Sequence, residues 1–249
     1  MGTAAAADGP PTLDVEGVVA TIRLRRPAEH NRIDPDDVAI IRGYLDRRLH
    51  RDARAVVFTG TGEATFSSGY TIEAIAARLD RRFEELLDAI EQFPLPTICA
   101  LNGSVYGGAT DLALCCDFRI GVRGSRMFVP AARFGLHYYP GGLRRAVEAL
   151  GAAQAKRILL TAQTLDADEM LRVGFLTELV DRDALAARVD AYVAALIDCE
   201  PRVVASMKRQ IRAIALGDRE NAESRADYES SLASDELKRR LAALGRDTA

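Results

Sequence analysis

The chain has 249 residues, 48% hydrophobic and 28% charged, enough to bury a sizeable core in one large domain or in a domain with a small appendage. With a formal net charge of −3, a pI near 5.7 and no basic cluster flanked by aromatics, nucleic acid is an unsuitable partner. Cys99, Cys115, Cys116 and Cys199 lack metal-ligand spacing, so no metal site is expected and the thiols read as small hydrophobes.

Residues 1–9, MGTAAAADG, have neither a basic start nor a long apolar core, which argues against a signal peptide or a membrane span. Ala6 stands where myristoylation wants Ser or Thr. A disordered tail, a cytoplasmic location and no membrane partner are the expectations. Leu13 to Leu24 reads as two short strands around Glu16-Gly17, and Pro27 and Pro35 bracket a polar loop. Asp34 caps a helix with Pro35 at its first position and Val38, Ile41, Leu45 and Leu49 as its apolar stripe.

The strand AVVFTG leads to the glycine-bearing loop FSSGYTIEAI, and then to one long amphipathic helix carrying Leu79, Phe83, Leu86, Leu87 and Ile90, stopped by Phe93-Pro94-Leu95-Pro96. PTICALNG is a buried strand, Gly107-Gly108 opens a helix bearing Leu112, Ala113 and Cys116, and Phe118 to Val122 is another strand. This β–α–β–α–β rhythm predicts an α/β fold with a mostly parallel sheet. RMFVPAARFGLHYYPGG is turn-rich, and beyond it helices are predicted over 143–162, 166–173, 183–198, 201–216 and 221–243, broken by Gly151, Gly174 and Gly217. The expected division is an α/β core over 10–190 and a helical C-terminal region over 191–249.

Chemistry concentrates where helices begin after glycines. Without a Cβ at Gly107 or Gly108 a carbonyl oxygen can approach outward-pointing N–H groups, and the helix dipole favours negative charge building up on it. Tyr70 offers a second main-chain donor, and Asp111 lies one turn into the glycine helix.

These two segments resemble the paired signatures of the enoyl-CoA hydratase/isomerase (crotonase) superfamily: F-x-x-G-x-D near residue 70, and N-G-x-x-x-G-G-x-x-[ED]-L near residue 108. The resemblance extends from about Leu13 to Ala243 and implies a crotonase-like spiral of β-β-α turns with a helical C-terminal trimerisation region. It implies an acyl-CoA thioester as substrate, with coenzyme A as part of that substrate and no permanently bound cofactor. Self-association as a homotrimer or dimer of trimers follows from it too. The oxyanion donors map to the amides of Tyr70 and Gly108, and substrate contacts map to Arg26, Ser68, Thr71, Ile72, Gly107, Val129 and Ala131.

Departures from the pattern qualify the reaction. Hydration in this superfamily uses two carboxylates around one water. Asp111 matches the first, whereas Ala131 stands in place of the second, which leaves Asp111 as the expected single acid/base. Thr71 replaces the motif's aspartate, and the bulk of Tyr70 favours a short or flat acyl group. The alternatives are a decarboxylase or thioester hydrolase using Tyr138 or His137, and a non-catalytic acyl-CoA-binding protein. Arg144 and Arg145 stand as solvated helix arginines or as contacts to phosphate or a substrate carboxylate.

Overall fold

A computed structural model describes residues 8–45, 53–218 and 222–247. Most of the N-terminal tail and Leu49 therefore lie outside the described residues. The chain divides into two compact units, Met1–Leu196 and Ile197–Ala249.

The first unit holds two sheets. β1 (Gly9–Glu16) and β2 (Val19–Arg25) form an antiparallel hairpin, joined in parallel by β3 (Ala55–Gly60), β5 (Thr97–Leu101), β7 (Phe118–Val122) and β10 (Glu178–Val180), in the order β1-β2-β3-β5-β7-β10. A smaller sheet has the order β4 (Thr65–Ser67), β6 (Ser104–Tyr106), β8 (Arg126–Phe128), β9 (Leu165–Asp166). Along the chain β3 and β4, β5 and β6, and β7 and β8 thus form consecutive pairs. The first strand of each pair enters the large sheet, the second enters the small one, and the winding is a spiral of β-β-α turns.

All six residues of β3 and all five of β5 are buried, as expected for central parallel strands covered on both faces. Val56, Phe58, Cys99 and Leu101 face the main core, together with α1 (Pro35–Tyr44), α3 (Arg81–Glu91) and α4 (Gly108–Cys115). Ala55, Val57, Ile98, Ala100 and Ile120 face Val189 and Val193 of α7 (Leu185–Asp198) on the other side.

The sequence-predicted helix with Pro35 at its start forms, with Asp37 completing the capping box on Asp34. The long helix expected after the Phe66 loop does not form as one piece. A single turn, α2 (Ile75–Arg78), ends at Leu79, which is extended, and Asp80 restarts the chain by accepting a hydrogen bond from the Arg82 amide. Further on, α5 (Pro140–Thr161) begins at Pro140, ahead of its expected start, and α6 spans Ala167–Arg172. The second unit contains α8 (Pro201–Ala215), α9 (Ala222–Ala233) and α10 (Asp235–Asp247), so the single helix expected over 221–243 is two helices that meet at Ser234.

Candidate active site

The loop after β4 and the start of α4 press together. Gly69 has φ +86°, and a Cβ there would lie 2.6 Å from the Gly108 nitrogen and 2.9 Å from the Ala109 nitrogen. Only glycine satisfies both that dihedral and that approach. A Cβ on Gly108 would fall 3.7 Å from the Tyr70 nitrogen, so the two amides foreseen as donors are neighbours in space.

Among the described residues both amides are spared by the surrounding hydrogen bonds. The isolated bridge between Ile33 and Tyr70 uses Ile33 N–H to Gly69 C=O (2.8 Å) and Thr71 N–H to Ile33 C=O (3.0 Å), passing over the Tyr70 N–H. Gly108 is the first residue of α4, where an N–H has no intrahelical acceptor. The loop is braced from behind: the Ser67 hydroxyl accepts from Gly69 N–H and donates to the Asn31 carbonyl, while Asn31 Nδ2 donates to the carbonyls of Thr61 and Thr65.

In front of these amides opens a cavity of about 430 Å³. Ser68, Tyr70, Ile72, Gly107, Gly108, Val129, Ala131, His137 and Tyr138 are among the residues that line it. Three of the chain's 8 phenylalanines and four of its 7 tyrosines lie on its wall, a concentration that no motif signalled. The Tyr70 ring meets Phe83 edge-on at 5.3 Å and donates its hydroxyl to the Arg78 carbonyl at 2.9 Å. His137 Nδ1 lies 2.7 Å from the Tyr138 carbonyl, which only accepts, so Nδ1 is the donor of that hydrogen bond. Desolvation, with the Asp111 charge next, pushes the Tyr138 hydroxyl far above its ordinary pKa and keeps it a neutral donor.

Arg26, Thr71 and Asp111 do not line this cavity. Arg26 is paired with Asp34 and Asp37, which fixes the segment before and into α1, and the Thr71 hydroxyl donates to the Asp34 carboxylate. Asp111, expected to stand alone, is 1% exposed and receives Arg145 through two 2.8 Å hydrogen bonds, Nε to Oδ1 and Nη2 to Oδ2. The Tyr139 hydroxyl adds a third at 2.5 Å. Arg145, foreseen as solvated or ligand-facing, is itself 2% exposed and reaches on to Asp88 and Glu91 of α3. Burial opposes its charge, but the hydrogen bonds and charge of Asp111 and its neighbours outweigh that and raise its pKa.

A family model for enoyl-CoA hydratase/isomerase matches residues 14–239. The chain belongs to the enoyl-CoA hydratase/isomerase family. It is 30% identical over 208 residues to an (E)-benzylidenesuccinyl-CoA hydratase of Thauera aromatica, covering 80% of this chain and 81% of that one. A short-chain-enoyl-CoA hydratase of Clostridium acetobutylicum is 28% identical, with 80% of this chain and 79% of the relative covered. The structure superposes with TM-score 0.89 on an enoyl-CoA hydratase/isomerase family protein from Hyphomonas neptunium, at 26% identity, covering 96% and 95% of the two chains. The β-β-α spiral is thus the crotonase fold.

Within this fold, three charged cavity residues escaped sequence reasoning: Asp80, Arg81 and Glu84, all at the start of α3. A signal for the carboxylates existed. Residues 80, 83, 84 and 87 recur on one helix face, so both sit beside the buried Phe83 and Leu87.

Proposed function

We propose that this chain is an acyl-CoA enzyme that polarises a thioester carbonyl between the amides of Tyr70 and Gly108 and stabilises the enolate that results. The single observation carrying this is the closeness of two uncommitted amides at the floor of an aromatic-walled cavity. Two fixed donors aimed at a developing oxyanion are worth a few kcal/mol each, about 3 for a single one.

Asp111 suits this scheme as an anchor better than as the acid/base. Its oxygens are committed to Arg145 and Tyr139, so taking a substrate proton there would cost the buried guanidinium its fully buried counter-charge and leave it only the more exposed Asp88 and Glu91. Its pull on Tyr139 instead holds the ring pair Tyr138–Tyr139, stacked at 4.9 Å, against the cavity. With Ala131 on the cavity wall, hydration by paired carboxylates in the usual positions has no support.

A second scheme, decarboxylation or thioester hydrolysis, is favoured by one observation: His137 and Tyr138 both line the same space. Relatives named for hydration of a benzylidenesuccinyl-CoA and of short-chain enoyl-CoA support the thioester class for both schemes. Association as a trimer or dimer of trimers through the exposed α8 stripe of Val203, Met207, Ile211 and Ile214 belongs to this proposal.

Purified protein is incubated separately with crotonyl-CoA and methylmalonyl-CoA, and products are followed by mass. The enolate scheme expects turnover or α-carbon chemistry that is lost in Gly108→Val. CO₂ release lost in Tyr138→Phe shifts the assignment to the second scheme. Tight binding of both thioesters without any chemistry would make the protein a non-catalytic acyl-CoA binder.

A further inference from the structure

We infer that Glu84 is the group that takes and returns the α-carbon proton, an assignment that rests on the enolate scheme above. Three carboxylates stand near the cavity, and two are committed. Asp111 is held by Arg145 and Tyr139 and does not line the space. Asp80 lines it, but its oxygens accept from the Arg82 amide (2.9 Å) and Arg82 Nε (2.9 and 3.1 Å) while capping α3.

Glu84 lines the cavity from the first turn of α3, and among the described residues nothing hydrogen-bonds or ion-pairs with its carboxylate. It is half-buried, so its side chain divides between the cavity wall and solvent. The backbone that carries it is held beside the Tyr70 and Gly108 amides by its neighbour in sequence. The Phe83 Cζ would lie 2.9 Å from a Cβ on Gly108, and its ring packs against Tyr70, so the first turn of α3 is pressed onto both proposed oxyanion donors. A buried helix residue pins the backbone there, and a carboxylate on the next residue is delivered to the edge of the site on a rigid element instead of a loop.

The step balances without a co-reactant. The Glu84 carboxylate forms an O–H bond to the α-proton, the C–H electron pair becomes the carbon–carbon double bond of the enolate, and the carbonyl oxygen takes the negative charge facing the Tyr70 and Gly108 amides. Reversal returns a proton to the same carbon. His137 is the competing base, but its ring is exposed and held by the Tyr138 carbonyl, on the wall formed by the segment before α5.

The test is α-proton exchange of phenylacetyl-CoA and butyryl-CoA in D₂O, read by mass spectrometry on the full chain, with thioester binding measured in parallel by calorimetry. Wild type is expected to incorporate deuterium. Glu84→Gln, a helix-compatible change on a half-buried residue, is expected to slow exchange by about 100-fold or more with binding retained, the size typical of a lost general base. Glu84→Asp is expected to restore part of the rate.

Exchange at the wild-type rate in Glu84→Gln, together with loss in Gly108→Val, overturns the assignment while leaving the enolate scheme intact. Loss in His137→Gln with exchange retained in Glu84→Gln moves the role to His137. Binding of both thioesters with no exchange by wild type overturns the Glu84 assignment and the enolate scheme together.

Discussion

Asp111 and Arg145 form a buried ion pair whose members are 34 positions apart, so neither partner is visible from the sequence around the other. At 1% and 2% exposure, breaking one side leaves the other's charge away from water without its two-point partner, and for Arg145 only the single-nitrogen contacts to Asp88 and Glu91 remain. Asp111→Ala is therefore expected to destabilise the fold by about 3–5 kcal/mol, measured by urea unfolding. The double change Asp111→Leu with Arg145→Met should recover most of that loss, because two apolar side chains need no partner. If Asp111→Ala unfolds at the wild-type urea midpoint, the pair does not hold this wall of the site. The motif at residue 108 identified Asp111 as important, but its chemistry depends on α5, which arrives from elsewhere in the chain.

At the scale of elements, breaks in helices were legible where glycine caused them and hidden where a side chain did. Gly151 interrupts α5 with φ +75° and ψ +155°, a conformation nearly reserved for glycine, and nothing lies within 4 Å of a Cβ placed there. Gly151→Ala would stabilise an ordinary helix; here it is expected to cost about 1–3 kcal/mol, seen as a lowered melting temperature, from dihedral strain alone. A stabilised Gly151→Ala protein would mean that α5 straightens without penalty. The break between α2 and α3 escaped notice because the apolar stripe runs on through Leu79 and Phe83. Asp80 ends it by bonding the Arg82 amide, a local competition with helix hydrogen bonding that periodicity does not register.

For the molecule as a whole, the loop after β4, the ends of β6 and β8, the first turns of α3 and α4 and the segment before α5 line a cavity whose wall is rich in phenylalanine and tyrosine. Rings favour a flat acyl group, through stacked or edge-on contacts worth about 0.5–1.5 kcal/mol per ring pair. Phenylacetyl-CoA is thus expected to bind about tenfold more tightly than hexadecanoyl-CoA in calorimetry, one well-made ring contact being enough for that ratio. Equal affinities would show that the aromatic wall does not select the acyl group. The parallel order of the large sheet's central strands, the glycine turns at residues 69 and 107 and the family were legible in the sequence alone, because strand periodicity, positive-φ glycines and helix starts are local properties of the chain; the small sheet of β4, β6, β8 and β9 was not, its strands of two or three residues being too short to show a period. Which side chains face the cavity was decided only by the tertiary structure. Glu84 and the aromatic wall come together, and Arg145 reaches Asp111 behind them, through packing between segments far apart in the chain, and it is distance in space that sets whether a carboxylate is paired, buried or free to take a proton.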